Sequence, residues 1–318
     1  MNRGPIRTAV IALFLSAAIF SNVAAQVKTA PRTTGQFRAI TVITEPEASV
    51  WLDNVLFGKT GTDGKLGIKT VAAGSHVLKV RCFGFAETSR TLTAIQKGQI
   101  KIALTKATDP AELAFQNAEK LSTSDRDKAA ATYRAAIKLR PAFADAYISL
   151  ARMLSENGDL DEAANVIASV RKIRPAFAEA SAVEGRILKE GGEEEKAIVA
   201  FKRAITEGKG FQPEALTGLG LIYKERAEGF GGSGDLEHEK ENYDQAEKYL
   251  KLAVKQLSGA PDSVVIYQIL GLICEREQKF DEAIAIYEEF LRLFPDSNEA
   301  SAVRSFIQQI KKQMTEPD

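Results

Sequence analysis

Any catalytic chemistry in this sequence would have to come from one Gly-rich, charged stretch after residue 228, two histidines and two cysteines. Gly229, Gly231 and Gly234 satisfy the G-x-G-x-x-G spacing. That spacing binds a dinucleotide where it joins a strand to a helix, because glycine lets the backbone approach the pyrophosphate at the helix N-terminus. Here it follows a helical pattern with no parallel sheet around it, so a flexible loop is expected. His238-Glu239-Lys240-Glu241-Asn242 begins like a zinc-protease helix, but Asn242 stands in place of the second histidine. One imidazole cannot supply the paired i, i+4 ligands such a site needs. Asp235, Glu237 and His238 offer at most a weak surface metal contact, and a solvated acidic loop is the better reading. His76, beside Gly74 at a strand start, reads as structural. Cys82 alternates with Leu78 and Val80, and Cys274 lies in an apolar helical run, so both read as small core side chains rather than as a disulfide. No catalytic triad, metal cage or cofactor cradle can be assembled from these groups. The chain is expected to be no enzyme and to use no cofactor or metal.

The elements around these residues fall into two kinds. From Pro110 onward Ala, Leu, Glu and Lys dominate, and the chain repeats itself. Arg140-Pro-Ala-Phe-Ala-Asp-Ala146 returns as Arg174-Pro-Ala-Phe-Ala-Glu-Ala180, 34 residues later, and Ala129, Ala163 and Ala197 keep the same step. A small Ala lets two helices approach closely, and a large apolar residue four positions on fills the space beside them. The pairs are Ala129/Tyr133, Ala163/Ile167, Ala197/Phe201, Ala246/Leu250 and Ala283/Tyr287. Gly185, Gly220 and Gly271 supply the small residue on the first helices, and Pro141, Pro175 and Pro295 end second helices. This pattern resembles the tetratricopeptide repeat (TPR). The resemblance implies an all-α solenoid over 107–318: about five helical hairpins, an insertion near 228–242 that forms an exposed loop with some helix, and a capping helix at 298–314 with Ala302, Phe306 and Ile310 on its apolar face.

In such an array the first helices line an inner groove. Aligning the repeats places Asp145, Ile148 and Arg152, then Ala182, Arg186 and Lys189, then Lys224 and Gln268 along it. Arg152 and Arg186 are equivalent one repeat apart, so their guanidinium groups could receive an acidic segment. The carboxylate clamp of some TPR proteins needs paired Asn that this sequence lacks, so a mixed apolar and acidic peptide is the expected ligand. The competing reading pairs these cations with Asp145, Glu179 and Glu190 on the surface, where ion pairs contribute little.

Residues 37–106 follow a different period. "LKVRC" at 78–82 and "IKIAL" at 100–104 alternate apolar and polar residues, with turn signals between the runs, which predicts a small all-β sandwich. "EPEASVWLDN" at 45–54, "GKTG" at 58–61, "GSHVLKV" at 74–80 and Gly84-Phe85 resemble the PEGA domain. Pro46-Glu47-Ala48-Ser49 lacks the Gly of its naming tetrad, and Asn54 stands where that family commonly has Gly. The same turns are similar to a carboxypeptidase-regulatory-like β domain. A linker around Thr105 to Pro110 is expected to let the two domains fold independently, with the β domain able to cover one end of the array.

Arg3, Arg7, the apolar run from Thr8 and the small residues Val23, Ala24 and Ala25 predict a cleavable signal over 1–25, followed by a linker over 26–36. The alternative is an uncleaved anchor. Formal net charge is zero over the chain, and removal of Arg3 and Arg7 leaves 40 basic against 42 acidic residues, with no basic cluster for nucleic acid. After removal of the signal no apolar run is long enough to span a membrane. The expected function is an exported, non-enzymatic scaffold of the bacterial periplasm or cell envelope, binding a peptide or protein partner in the repeat groove. The alternative is a structural envelope protein whose β domain attaches to cell-wall glycan or to surface proteins.

Overall fold

The computed structural model describes residues 37–315; the expected signal and linker lie outside the described residues. Seven strands, β1 (Arg38–Ile43), β2 (Ser49–Leu52), β3 (Val55–Lys59), β4 (Lys65–Val71), β5 (His76–Arg81), β6 (Thr88–Leu92) and β7 (Gly98–Lys101), form two sheets ordered β4-β1-β7 and β3-β2-β5-β6. The β1–β7 pair is parallel and the other pairs are antiparallel. Alternation puts Val42, Val50, Leu78, Val80 and Ile100 into one shared core with Cys82. This is the two-sheet β region that the two-residue period predicts.

The β2–β3 turn is the feature of this region that matters below. Asp53 and Asn54 both have positive φ, 50° and 66°, the type I′ geometry that matches strand twist and that Asp and Asn tolerate. Asp53 is held from the neighbouring strand: its carboxylate accepts from Val77 N at 2.8 Å and lies 2.6 Å from His76 Nδ1. His76 Nε2 faces the Ala72 carbonyl at 3.0 Å, so this histidine is a brace for the turn.

Among the described residues eleven helices follow: α1 (Pro110–Leu121), α2 (Arg126–Leu139), α3 (Ala144–Glu156), α4 (Leu160–Ile173), α5 (Ala178–Glu190), α6 (Glu194–Glu207), α7 (Pro213–Ser233), α8 (Leu236–Leu257), α9 (Ser263–Arg276), α10 (Phe280–Leu293) and α11 (Ala300–Thr315). Consecutive helices pair into five hairpins, and α11 packs on α10. The repeated Arg-Pro-Ala-Phe motif makes the same contact twice, Arg140 over the Phe143 ring at 4.2 Å and Arg174 over Phe177 at 4.1 Å. Ala129, Ala163, Ala197, Ala246 and Ala283 are all fully buried. The partner of each late Ala fills the space above a first-helix glycine. A Cβ on Gly271 would lie 2.2 Å from the Tyr287 ring, and one on Gly220 would lie 2.5 Å from Leu250. Among the described residues no helix is long and apolar enough to cross a membrane.

Two expectations need correction. The last helix buries Val303, Ile307 and Ile310, whereas Ala302 and Phe306 are exposed. The buried stripe runs back from Ile310 by three residues and then by four, which turns the 302 and 306 positions off the core face. Phe306 instead meets the Tyr287 ring, 5.9 Å between centroids. The insertion is also not a loop. Its residues extend α7 and α8, and the turn between the two helices is confined to Gly234 (φ 81°) and Asp235. Glycine costs about 1 kcal/mol in a helix, but tertiary contacts outweigh that here. Asp235 caps α8 by accepting from His238 N, and the His238 ring stacks on Phe230 at 5.1 Å. Buried Glu239 accepts from Arg276 Nε at 3.0 Å and Nη2 at 2.7 Å. Deleting 229–242 is therefore expected to lower the thermal midpoint, chiefly by removing the buried Glu239 and the Phe230–His238 stack from the α7–α8 hairpin. Thermal melts followed by circular dichroism check this; an unchanged midpoint would show that the extensions add nothing to stability.

Candidate functional site

The odd-numbered helices pack on one another, α3 on α5 and α5 on α7, and form the inner layer of the array. The β region lies along this layer and touches it from the first hairpin to the last ones. At the first hairpin, Arg81 is buried among carboxylates: Nη1 donates to Glu119 at 2.6 Å and Nη2 to Glu87 at 2.5 Å, with Asp145 at 3.4 Å. Its guanidinium also covers the Phe115 ring at 4.6 Å. Burial pulls its pKa down, but the three carboxylates more than offset this. Glu119 is pushed above the usual carboxylate range by burial, against the pull of Arg81. Gln116 of α1 accepts from Gly84 N at 2.8 Å and donates to the Phe85 carbonyl at 2.7 Å. Further along, Asn54 Nδ2 donates to Glu179 Oε1 at 3.2 Å, and Val55 is buried in the apolar cluster of Leu216 and Ile266. At the last hairpins Thr70 sits against Gly259, and Arg292 lies 5.5 Å from the Phe37 ring.

Between the β2–β3 turn and α3–α9 is a cavity of about 1110 Å3. Its apolar wall is Phe211, Leu221, Val265 and Ile269, and Trp51 and Leu56 close it from the β side. Of the groove residues expected from the sequence, Arg152, Arg186 and Lys189 line this space. Arg152 is already saturated, gripping both oxygens of Glu214 across two repeats. Lys189 donates to Glu225 at 2.8 Å, and Lys224 to Glu228 at 2.6 Å. Asp145 is turned to Arg81, Ile148 and Ala182 are buried in the helical packing, and Gln268 is half-buried on α9 outside the cavity lining. Arg186 differs from the other cations. Its nearest carboxylates, Glu156 and Glu190, stand 3.8 and 3.9 Å away, and its buried Nε and Nη2 have no hydrogen-bond partner.

The apolar wall escapes the repeat alignment, although α9 carries a signal for it. "SVVIYQILGLIC" is apolar on every face. Ile266, Leu270 and Ile273 satisfy the core, which leaves Val265, Ile269 and Leu272 as a second stripe.

Among the described residues two acidic groups have metal-like spacing. Asp244, Glu247 and Glu277 converge, but the Lys279 ammonium stands among them at 3.0, 2.8 and 2.9 Å. Glu247 and Glu282 near Cys274 are joined in the same way by Lys251. Burial pushes the Cys274 thiol up to about 12, so the free side chain is held as the neutral thiol at neutral pH. Cys82 and Cys274 are both free and buried.

The fold and groove define a helical-repeat scaffold for protein–protein interaction. Residues 120–187 and 232–298 match tetratricopeptide-repeat families, and the helical part of the chain is a TPR array. No curated protein matches the chain significantly. Among solved structures, yeast Tom70 aligns with a TM-score of 0.52 at 18% identity, covering 65% of this chain and 41% of that one. The MamA protein aligns at 0.42 and 20% identity, covering 61% and 96%. A thermophilic TPR protein of Thermus thermophilus aligns at 0.44 and 18%, covering 63% and 98%. At these identities the likeness concerns the fold alone.

Proposed function

We propose that the chain is an exported, non-enzymatic scaffold of the cell envelope whose inner TPR groove binds a peptide segment carrying apolar residues and a carboxylate. The observation that carries this reading is Arg186, a guanidinium with unsatisfied buried donors beside an apolar wall. Buried donors without acceptors are costly, and a ligand carboxylate would supply the missing bonds in the paired geometry that guanidinium favours. Export rests on the basic start, apolar run and small-residue cleavage pattern of residues 1–25. The PEGA-like reading of the β region is supported by Asn54, whose positive φ suits a position where that family commonly has Gly.

The test is affinity capture from envelope extracts with the full chain, followed by titration of the captured partner. Arg186→Ala is expected to weaken binding roughly ten- to a hundredfold without lowering the thermal midpoint, since its own ion contacts are long and its buried donors are unpaired. Unchanged affinity would move recognition off the groove. Material recovered outside the cytoplasm should begin at or near Gln26, and an intact Met1 would replace export by anchoring.

A further inference from the structure

The groove already has a partial occupant, and that occupant indicates what the groove accepts. Asp53 is committed to Val77 and His76, so the turn is fixed before it meets the helices. The two residues that follow are the ones that engage them. Asn54 offers its amide to Glu179, and Val55 enters the apolar cluster with Leu216 and Ile266. Phe57, two residues on, packs against both this cluster and the β core. A rigid tip presenting an amide and then an aliphatic side chain is therefore matched by an acceptor and an apolar pocket on successive inner helices.

We propose that the β2–β3 tip is a built-in competitor for the inner face of α5–α9, displaced by a partner that presents the same chemistry: a side-chain amide followed by an aliphatic residue on a tight turn. This rests on the reading of the inner groove as the recognition surface. A docked tip favoured about tenfold or more lowers the apparent affinity of any competitor by the same factor.

The probe is a labelled, cyclised peptide of residues 49–59, titrated into the full chain. Val55→Asp places a charge in the apolar pocket and should release the tip, raising peptide affinity about tenfold or more over the wild type. Asn54→Asp sets a like charge against Glu179 and keeps the turn geometry. It should give a smaller rise in affinity, and faster amide exchange over 52–57, without touching the core. A chain carrying Asn54→Cys and Glu179→Cys should bind the peptide while its thiols are free, and should lose that binding once a short bifunctional thiol reagent joins them. Equal affinity for the wild type and both released variants overturns the proposal. So does binding to the joined chain as tight as to the same variant with free thiols, and so does absence of binding throughout. Recognition of other ligands through Arg186 would stand in each of those cases, because it is read separately by the captured partner.

Discussion

Arg81→Ala is expected to destabilise the protein by about 2 kcal/mol at neutral pH and to weaken the hold of the β region on the first hairpin, which Gln116 still maintains. The side chain is itself only 10% exposed and faces Glu87, Glu119 and Asp145, while also covering Phe115. Removing one member of a buried ionic cluster leaves its partners desolvated and repelling one another. The three carboxylates keep some access to water, which places the cost toward the low end of the range for such losses. The effect has a pH signature. Burial already holds the Glu119 carboxyl above its ordinary range, with Arg81 pulling against it. Without Arg81 that pKa climbs further. A carboxyl whose folded pKa exceeds its unfolded value stabilises the fold when protonated, and that stabilisation is lost as pH rises through the folded value. The gap between variant and wild type should therefore narrow as pH falls from 7 toward 5. Urea melts at both pH values measure it, and a gap that is constant or wider in acid would remove Glu119 from the explanation.

Tyr287→Ala is expected to cost about 3–5 kcal/mol, in the range of large-to-small changes in well-packed cores. The ring is 1% exposed, fills the space above Gly271, meets Phe306, and donates its hydroxyl to Glu275 Oε1 at 2.5 Å. Repeat arrays lose stability interface by interface, so the loss should be local. Hydrogen exchange should show α9 to α11 losing protection while α1 to α6 keep theirs. Uniform loss along the chain would mean that the array unfolds as one unit.

How much of this is legible in the sequence depends on whether local spacing or distant packing decides the outcome. The 34-residue step from Ala129 to Ala197 locates the hairpins because each Ala meets a partner within its own repeat or the next. The strands at 78–82 and 100–104 are equally local, since a two-residue period needs only one buried face. The insertion misleads because glycine at 229, 231 and 232 speaks for a loop, while one contact made by its helical form, buried Glu239 with Arg276, lies 37 residues away. The repeat register sets the groove cations in order along the first helices. It carries no sign that Arg152 is occupied by Glu214, 62 residues on, while Arg186 is not. Nor can it place Asn54 against Glu179, because nothing local to a β turn specifies the helix it will meet.

The attachment of the β region at both extremes of the array, to Glu119 near its start and to Gly259 and Arg292 near its end, bears on how such a chain can change over evolutionary time. An open solenoid lengthens or shortens by whole hairpins, because each unit touches only its neighbours. Here a domain of fixed width reaches across the stack, so an added hairpin would pull one attachment away from the other. Relatives that keep both attachments are expected to hold five hairpins, and variation in length should fall where it does not alter that span, as in the lengthened α7 and α8.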